Sequence, residues 1–116
     1  MNILLTGNPV KNIASKICAT LDNVDTVSRS KESDFQIDLD TAQGMKELVE
    51  CSLDYDVFIN SSLTPNFGQT QILQQVWTEW KSQNKAGHII SFGSAVDYYY
   101  RPDNRLYPVE KRALRD

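Results

Sequence analysis

The chain has 116 residues, 41% hydrophobic and 23% charged, with a formal net charge of −3, a composition that suits one globular domain with one core and excludes the basic footprint of a nucleic-acid binder. No run approaches the ~18 apolar residues of a membrane span, and the N-terminus enters Asn2-Ile3-Leu4-Leu5 without a basic leader, so a cytoplasmic protein with no membrane partner is expected. With one histidine, His88, no metal set of the usual spacings can be assembled. Cys18 and Cys51 fall on apolar helix faces and are expected as buried, reduced thiols.

Apolar runs alternate with helical patterns, the signature of βαβ units and a mostly parallel sheet. Residues 2–6 form a first strand that ends in Thr6-Gly7. Asn8-Pro9 reads as a helix N-cap followed by proline at the first helical position, with Ile13, Ile17 and Leu21 repeating along one face. A second strand over 25–28 ends at Arg29, and a third over 35–37 runs into Asp38-Leu39-Asp40. Thr41 then opens a helix whose apolar face is Met45, Leu48, Val49 and Leu53. Strand four, 57–59, is closed by Asn60-Ser61-Ser62-Leu63. The helix predicted over 67–83 carries Ile72, Leu73, Val76, Trp77 and Trp80 on one stripe, which reads as core for both tryptophans. His88-Ile89-Ile90-Ser91-Phe92 forms strand five.

The last quarter of the chain carries the chemistry. Tyr107 and Lys111 are four residues apart, so a helix places both on one face, one turn apart. A tyrosine hydroxyl with an ordinary pKa near ~10 is a poor acid or base at neutral pH, and an ammonium beside it stabilises the phenolate and brings it toward working range. Ser94 lies just past strand five, at the strand mouth where open α/β sheets hold their sites. Taken alone, Y-x-x-x-K also fits a solvated helix.

The joint spacing of Gly87, Ser94, Tyr107 and Lys111 resembles the short-chain dehydrogenase/reductase family, and the resemblance extends from the first residue to the last. It implies an α/β, Rossmann-type, doubly wound parallel sheet in the order 3-2-1-4-5, in a single domain over 1–116, truncated after about five strands. The family's later strands and substrate-covering segment are then missing. It also implies hydride transfer between a nicotinamide cofactor and a small carbonyl or alcohol substrate. In that reading Tyr107 is the general acid/base, Lys111 lowers its pKa and holds the nicotinamide ribose, and Ser94 hydrogen-bonds the reacting oxygen. Asn66 would hold a water in a proton relay, or else caps a loop or helix. Pro108 departs from the pattern and places Tyr107 at the start of its helix. In the family, the helix carrying Trp77 and Trp80 commonly packs against a second subunit, which implies a homo-oligomer.

The same resemblance assigns the cofactor end. Thr6-Gly7 matches the start of the family's T-G-x-x-x-G-x-G, while Asn12 and Ala14 stand in for the later glycines, flanking Ile13, with one extra residue in the turn. Lys11 reads as an exposed lysine or as a phosphate contact. Arg29 follows the second strand where an acidic residue would bind ribose hydroxyls, so NADP(H) is expected over NAD(H). Asp38 and Leu39 match the adenine side. Asn60 matches the first residue of the segment that usually reads N-N-A-G, with Ser61, Ser62 and Leu63 replacing the other three, and the resemblance places Asn60 and Ser61 at the cofactor. A catalytically weak remnant that binds a nucleotide or a partner is the competing reading, supported by the lost glycines and the missing C-terminal part. A flavodoxin-like or response-regulator domain shares the alternation but leaves the Ser-Tyr-Lys spacing unexplained.

Overall fold

The computed structural model describes residues 1–10, 12–61 and 68–92. At its centre β1, Ile3–Thr6, and β4, Val57–Asn60, lie side by side and parallel, and both are buried at every position. A strand buried on both faces must be apolar on both, which is why Ile-Leu-Leu-Thr and Val-Phe-Ile-Asn show no alternation. β2, Val24–Ser28, adds to the other side of β1, β3, Phe35–Gln36, adds beyond β2, and β5, His88–Ser91, adds beyond β4. The five-stranded sheet thus runs in the order β3-β2-β1-β4-β5, the order expected from the sequence.

The register divides the side chains between two layers. Leu4, Phe58 and Ile89 are aligned across the sheet and face α2, Ala42–Ser52, and α3, Gly68–Ser82. There they join Val27, Leu39, Met45, Leu48, Tyr55, Ile72, Val76 and Trp80 in the larger core. Ile3, Leu5, Val57 and Ile59 point the other way, onto α1, Asn12–Thr20, through Ala14, Ile17 and Cys18. Both thiols are free but half-buried instead of fully buried, because each lies at the margin of its core, and burial raises their pKa values, so neither is poised as a nucleophile.

Three helix details differ from the sequence reading. Asn8 does not cap α1. Its Oδ1 accepts the N–H of Val10 at 3.0 Å, an Asx turn that uses Asn8-Pro9 before the helix, which begins at Asn12. The inward face of α1 is Ala14, Ile17 and Cys18, and Ile13 and Leu21 are exposed, because Ala14 is the residue that packs beneath the Gly7 turn. Of the two tryptophans of α3, Trp80 enters the core, where its Nε1–H donates to Ser52 Oγ at 2.9 Å, while Trp77, three residues earlier and 100° per residue around the helix, is 54% exposed.

α2 starts as its sequence predicts. Thr41 is its N-cap, with Oγ1 accepting from the N–H of Gly44. A Cβ at Gly44 would sit 1.8 Å from the carbonyl oxygen of Asp38. The missing side chain therefore lets the helix lie on the chain leaving β3. Leu39 in that segment is buried in the core, and Asp38 is exposed.

Below the sheet, buried Tyr55 donates its hydroxyl to Asp25 Oδ2 at 2.5 Å, tying the entry of β4 to the start of β2. Burial first, then the hydrogen bond to the Asp25 carboxylate and the nearby negative charges, hold the Tyr55 pKa well above its ordinary value. Tyr55→Phe should cost about 1.5–3 kcal/mol in urea unfolding at neutral pH, the range for a hydrogen bond to a charged group. Since the folded-state pKa lies above the unfolded one, this contribution is fully present below pH ~10 and is lost as pH rises from there through the folded value. The wild type should therefore lose stability in that alkaline window more steeply than Tyr55→Phe, and parallel profiles would show that the bond does not carry this weight.

Candidate functional site at the carboxyl edge of the sheet

Because every pairing in the sheet is parallel, the carboxyl ends of all five strands share one edge. The layer order changes between β1 and β4: α1 packs on one face, α2 and α3 on the other. Such a switch point leaves a crevice in which open α/β sheets bind ligands. Thr6-Gly7 and Asn60-Ser61 stand on its two sides.

Gly7 has φ of +146°, and a Cβ there would lie 2.9 Å from Ala14 Cβ and 3.1 Å from Ser61 Oγ. Only glycine fits that conformation and that space. Its N–H is held by Val27 O at 2.9 Å, so the turn is anchored to β2 while it passes between α1 and the end of β4. The start of α1 then presents amide N–H groups at the same edge, the arrangement that favours an anion.

Across the crevice, Thr6 and Asn60 are fully buried. Ser61 N–H donates to Thr6 Oγ1 at 3.1 Å and Ser61 Oγ donates to Thr6 O. Thr6 Oγ1 in turn lies 3.5 Å from Ile59 O and from Asn60 Oδ1. Asn60 faces the α3 layer, donating through Nδ2 to Gln69 O at 2.9 Å, with Ser91 Oγ at 3.4 Å, while Gln69 Nε2 returns a bond to Asn60 O at 3.0 Å. Asn60 thus fixes the first turn of α3 to the end of β4. Gln69, buried and nine residues away, is the partner that sequence reasoning missed, because nothing local marks a glutamine as bound to a strand end.

The far end of the edge is built by the β2–β3 connection. Arg29 is 73% exposed and reaches Asp40 Oδ2 at 3.8 Å. Gln36 Nε2 donates to Arg29 O at 3.1 Å, Ser30 N–H donates to Ser28 Oγ at 3.0 Å, and Ser28 Oγ is bonded to Ser33 Oγ. Asp34 closes the segment by accepting the N–H of Thr26 at 2.8 Å. Arg29 therefore stands free enough to meet a ligand, but among carboxylates, with Glu32, Asp34, Asp38 and Asp40 in the same connection and its exit. Asp40 as its partner was not foreseen, since β3 separates the two in sequence.

Of the residues singled out from the sequence, Thr6, Gly7, Arg29, Asp38, Asn60 and Ser61 share this edge. Ile13 is exposed and Leu39 is buried in the core. Asn12 opens α1. Asn66, Ser94, Tyr107 and Lys111 lie outside the described residues. No group of metal ligands occurs among the described residues, and no helix there is long and apolar enough to cross a membrane.

No protein-family model matches the chain, and no curated protein sequence matches it. Among solved structures it is similar to UDP-N-acetylglucosamine 4-epimerase from Bacillus cereus, with a TM-score of 0.65 and 14% identity over 97% of this chain and 46% of that one. It is also similar to a Burkholderia pseudomallei protein described as exported, with a TM-score of 0.59 and 18% identity over 99% of this chain and 63% of that one. The chain thus spans about half to under two thirds of these neighbours. At such identities the likeness shows a Rossmann-like fold.

Asn60→Ala and Gln69→Ala should each cost about 0.5–1.5 kcal/mol in urea unfolding, since each removes a buried side-chain donor to the other's backbone carbonyl. The double variant should cost about the sum, because the two bonds use different donors and acceptors and each accepting carbonyl belongs to the backbone, which the alanine changes leave in place. A double variant no less stable than either single one would show that the two bonds are not separate contributions.

Proposed function

We propose that the chain is the nucleotide-binding part of an oxidoreductase of the short-chain dehydrogenase/reductase type, cytoplasmic and using NADP(H) in preference to NAD(H). The observation that carries this is Gly7. It is a glycine-only turn at the switch point of the sheet, followed by the N-terminus of α1, where the residues present fit a pyrophosphate. Arg29 past β2 suits a 2′-phosphate. When bound, the nicotinamide would supply or accept the hydride. In reduction Tyr107 gives a proton to the substrate oxygen as the carbonyl becomes an alcohol, Lys111 keeps that tyrosine acidic and meets the ribose, Ser94 holds the oxygen, and Asn66 orders a relay water. The substrate is a small carbonyl or alcohol compound.

A second reading, a nucleotide- or partner-binding module without turnover, is favoured by the surroundings of Arg29, whose guanidinium is shared with Asp40 amid further carboxylates. The oligomer reading narrows to Trp77, since Trp80 belongs to the core.

Titration with both cofactors separates the two readings. NADPH should bind tighter than NADH, and Arg29→Ala should lower NADPH affinity by about ten- to a hundredfold, the value of one charge-assisted contact. Asp40→Asn should raise it by less than about fivefold, because an exposed pair is worth under ~1 kcal/mol. Equal affinity for the two cofactors in the wild type would remove Arg29 from the site.

For turnover, the measurement is NADPH oxidation against a panel of small carbonyl compounds. Tyr107→Phe should abolish it without weakening cofactor binding, whereas Lys111→Ala should impair both, and the double variant should be little slower than the worse single one. Cofactor binding without oxidation of any compound would establish the second reading.

A further inference from the structure

A basic aromatic depression lies at the opposite edge of the sheet from the crevice, where α3 ends and β5 begins. It has a volume of about 460 Å3 and is lined by Trp77, Trp80, Lys81, Lys85, Gly87 and Ile89, together with Asn84. Its floor is fixed from several directions. Trp80 is anchored by the 2.9 Å bond from Nε1 to Ser52 Oγ, and Ser52 Oγ itself donates to Val49 O at 2.7 Å. A Cβ at Gly87 would lie 2.8 Å from the Trp80 ring and 2.5 Å from Asp56 O, so a glycine there lets the chain pass against the indole.

The rim is set by the end of α3. Asn84 has φ of +54°, its N–H donates to Lys81 O at 3.1 Å, and Lys85 N–H donates to Trp80 O at 2.8 Å. This is the paired closure of a Schellman end, and it satisfies two carbonyls that would otherwise repel an anion. It also turns the chain back, so that Lys85 Nζ comes to 5.0 Å from the centre of the Trp80 ring. Lys81 Nζ stands 4.8 Å from the centre of the Trp77 ring.

Among the described residues neither ammonium has a carboxylate partner, and the ion pair there is Arg29–Asp40. Glu79, one turn before Gln83, accepts from the Gln83 carboxamide at 3.0 Å, and the Asp56 carboxylate accepts from Asn2 N–H at 3.0 Å. In a chain of net charge −3 this corner therefore concentrates positive charge over exposed aromatic surface. We propose that it is a binding site for a planar aromatic anion of one or two rings, such as an aromatic carboxylate. Its ring would stack on Trp77, and its anionic group would lie between Lys81 and Lys85. The volume falls within the ~300–1,000 Å3 of small-molecule sites, and aromatic walls with a few placed charges are their usual lining.

The chain has two tryptophans, and both line this depression, so the two indole N–H resonances of 15N-labelled protein report on the site directly. Benzoate and naphthoate should shift them saturably. Cyclohexanecarboxylate, which has the charge without the ring, and benzyl alcohol, which has the ring without the charge, should shift them much less. The Lys81→Gln/Lys85→Gln variant, changed at an exposed and a half-buried position, should keep the wild-type melting temperature and bind naphthoate about tenfold or more weakly, as expected for loss of charge-assisted contacts. Trp77→Ala should weaken naphthoate similarly, read on Trp80. NADPH affinity should be unchanged in both variants, because the crevice is at the other edge. Absence of a saturable shift with naphthoate, equal shifts with cyclohexanecarboxylate, or undiminished affinity in the lysine variant would each overturn the proposal. So would indole shifts that depend on protein concentration without ligand, which would mean that a second copy of the chain covers Trp77.

Discussion

Burial of β1 and β4 on both faces is the constraint from which the rest of the structure follows. Neither strand offers a polar side that could face water, so each must be covered by helices above and below. α1 covers one side through small and medium residues, and α2 with α3 covers the other through larger ones. The unequal layers explain why Phe58 and Trp80 belong to one core while Ala14 suffices in the other.

The same constraint creates the site. Two strands that are apolar along their length end in Thr6 and Asn60, fully buried polar residues whose hydrogen bonds must be met inside the protein. They are met by Ser61 across the crevice and by Gln69 at the first turn of α3. The polar groups that close the strand ends therefore also set the distance between the two walls of the crevice. Gly7 passes through the remaining gap, between Ala14 and Ser61, with no room for a side chain.

Glycine has a related part elsewhere in the sheet. Gly44 lets α2 rest on the carbonyl of Asp38, and Gly87 lets β5 begin against the Trp80 indole. In each case the absent side chain fixes how closely a helix and its neighbouring segment approach. The chain uses few glycines, and these three stand where the backbone passes against a neighbouring side chain, carbonyl or ring, which is why the turn after β1 keeps Gly7 while Ala14 occupies a packed position beneath it.

The sequence by itself determined the alternation of strands and helices, the continuous apolar runs of the two central strands, and the cap at Thr41. These depend on contacts within a few residues or on hydrophobic period, and such signals are written locally. It also marked Thr6-Gly7 and Arg29 through their positions after strands, which parallel pairing then brings to one edge. Only the tertiary structure decided that Asn8 makes a turn instead of a cap, that Ala14 replaces Ile13 on the inner face of α1, and that Trp80 is core while Trp77 is not. It alone paired Asn60 with Gln69 and Arg29 with Asp40. The physical reason is common to all of these: each outcome depends on which atoms another element places opposite. A helical stripe of five apolar residues cannot say which of two tryptophans meets the sheet, and a carboxamide carries no mark of the strand end it will satisfy.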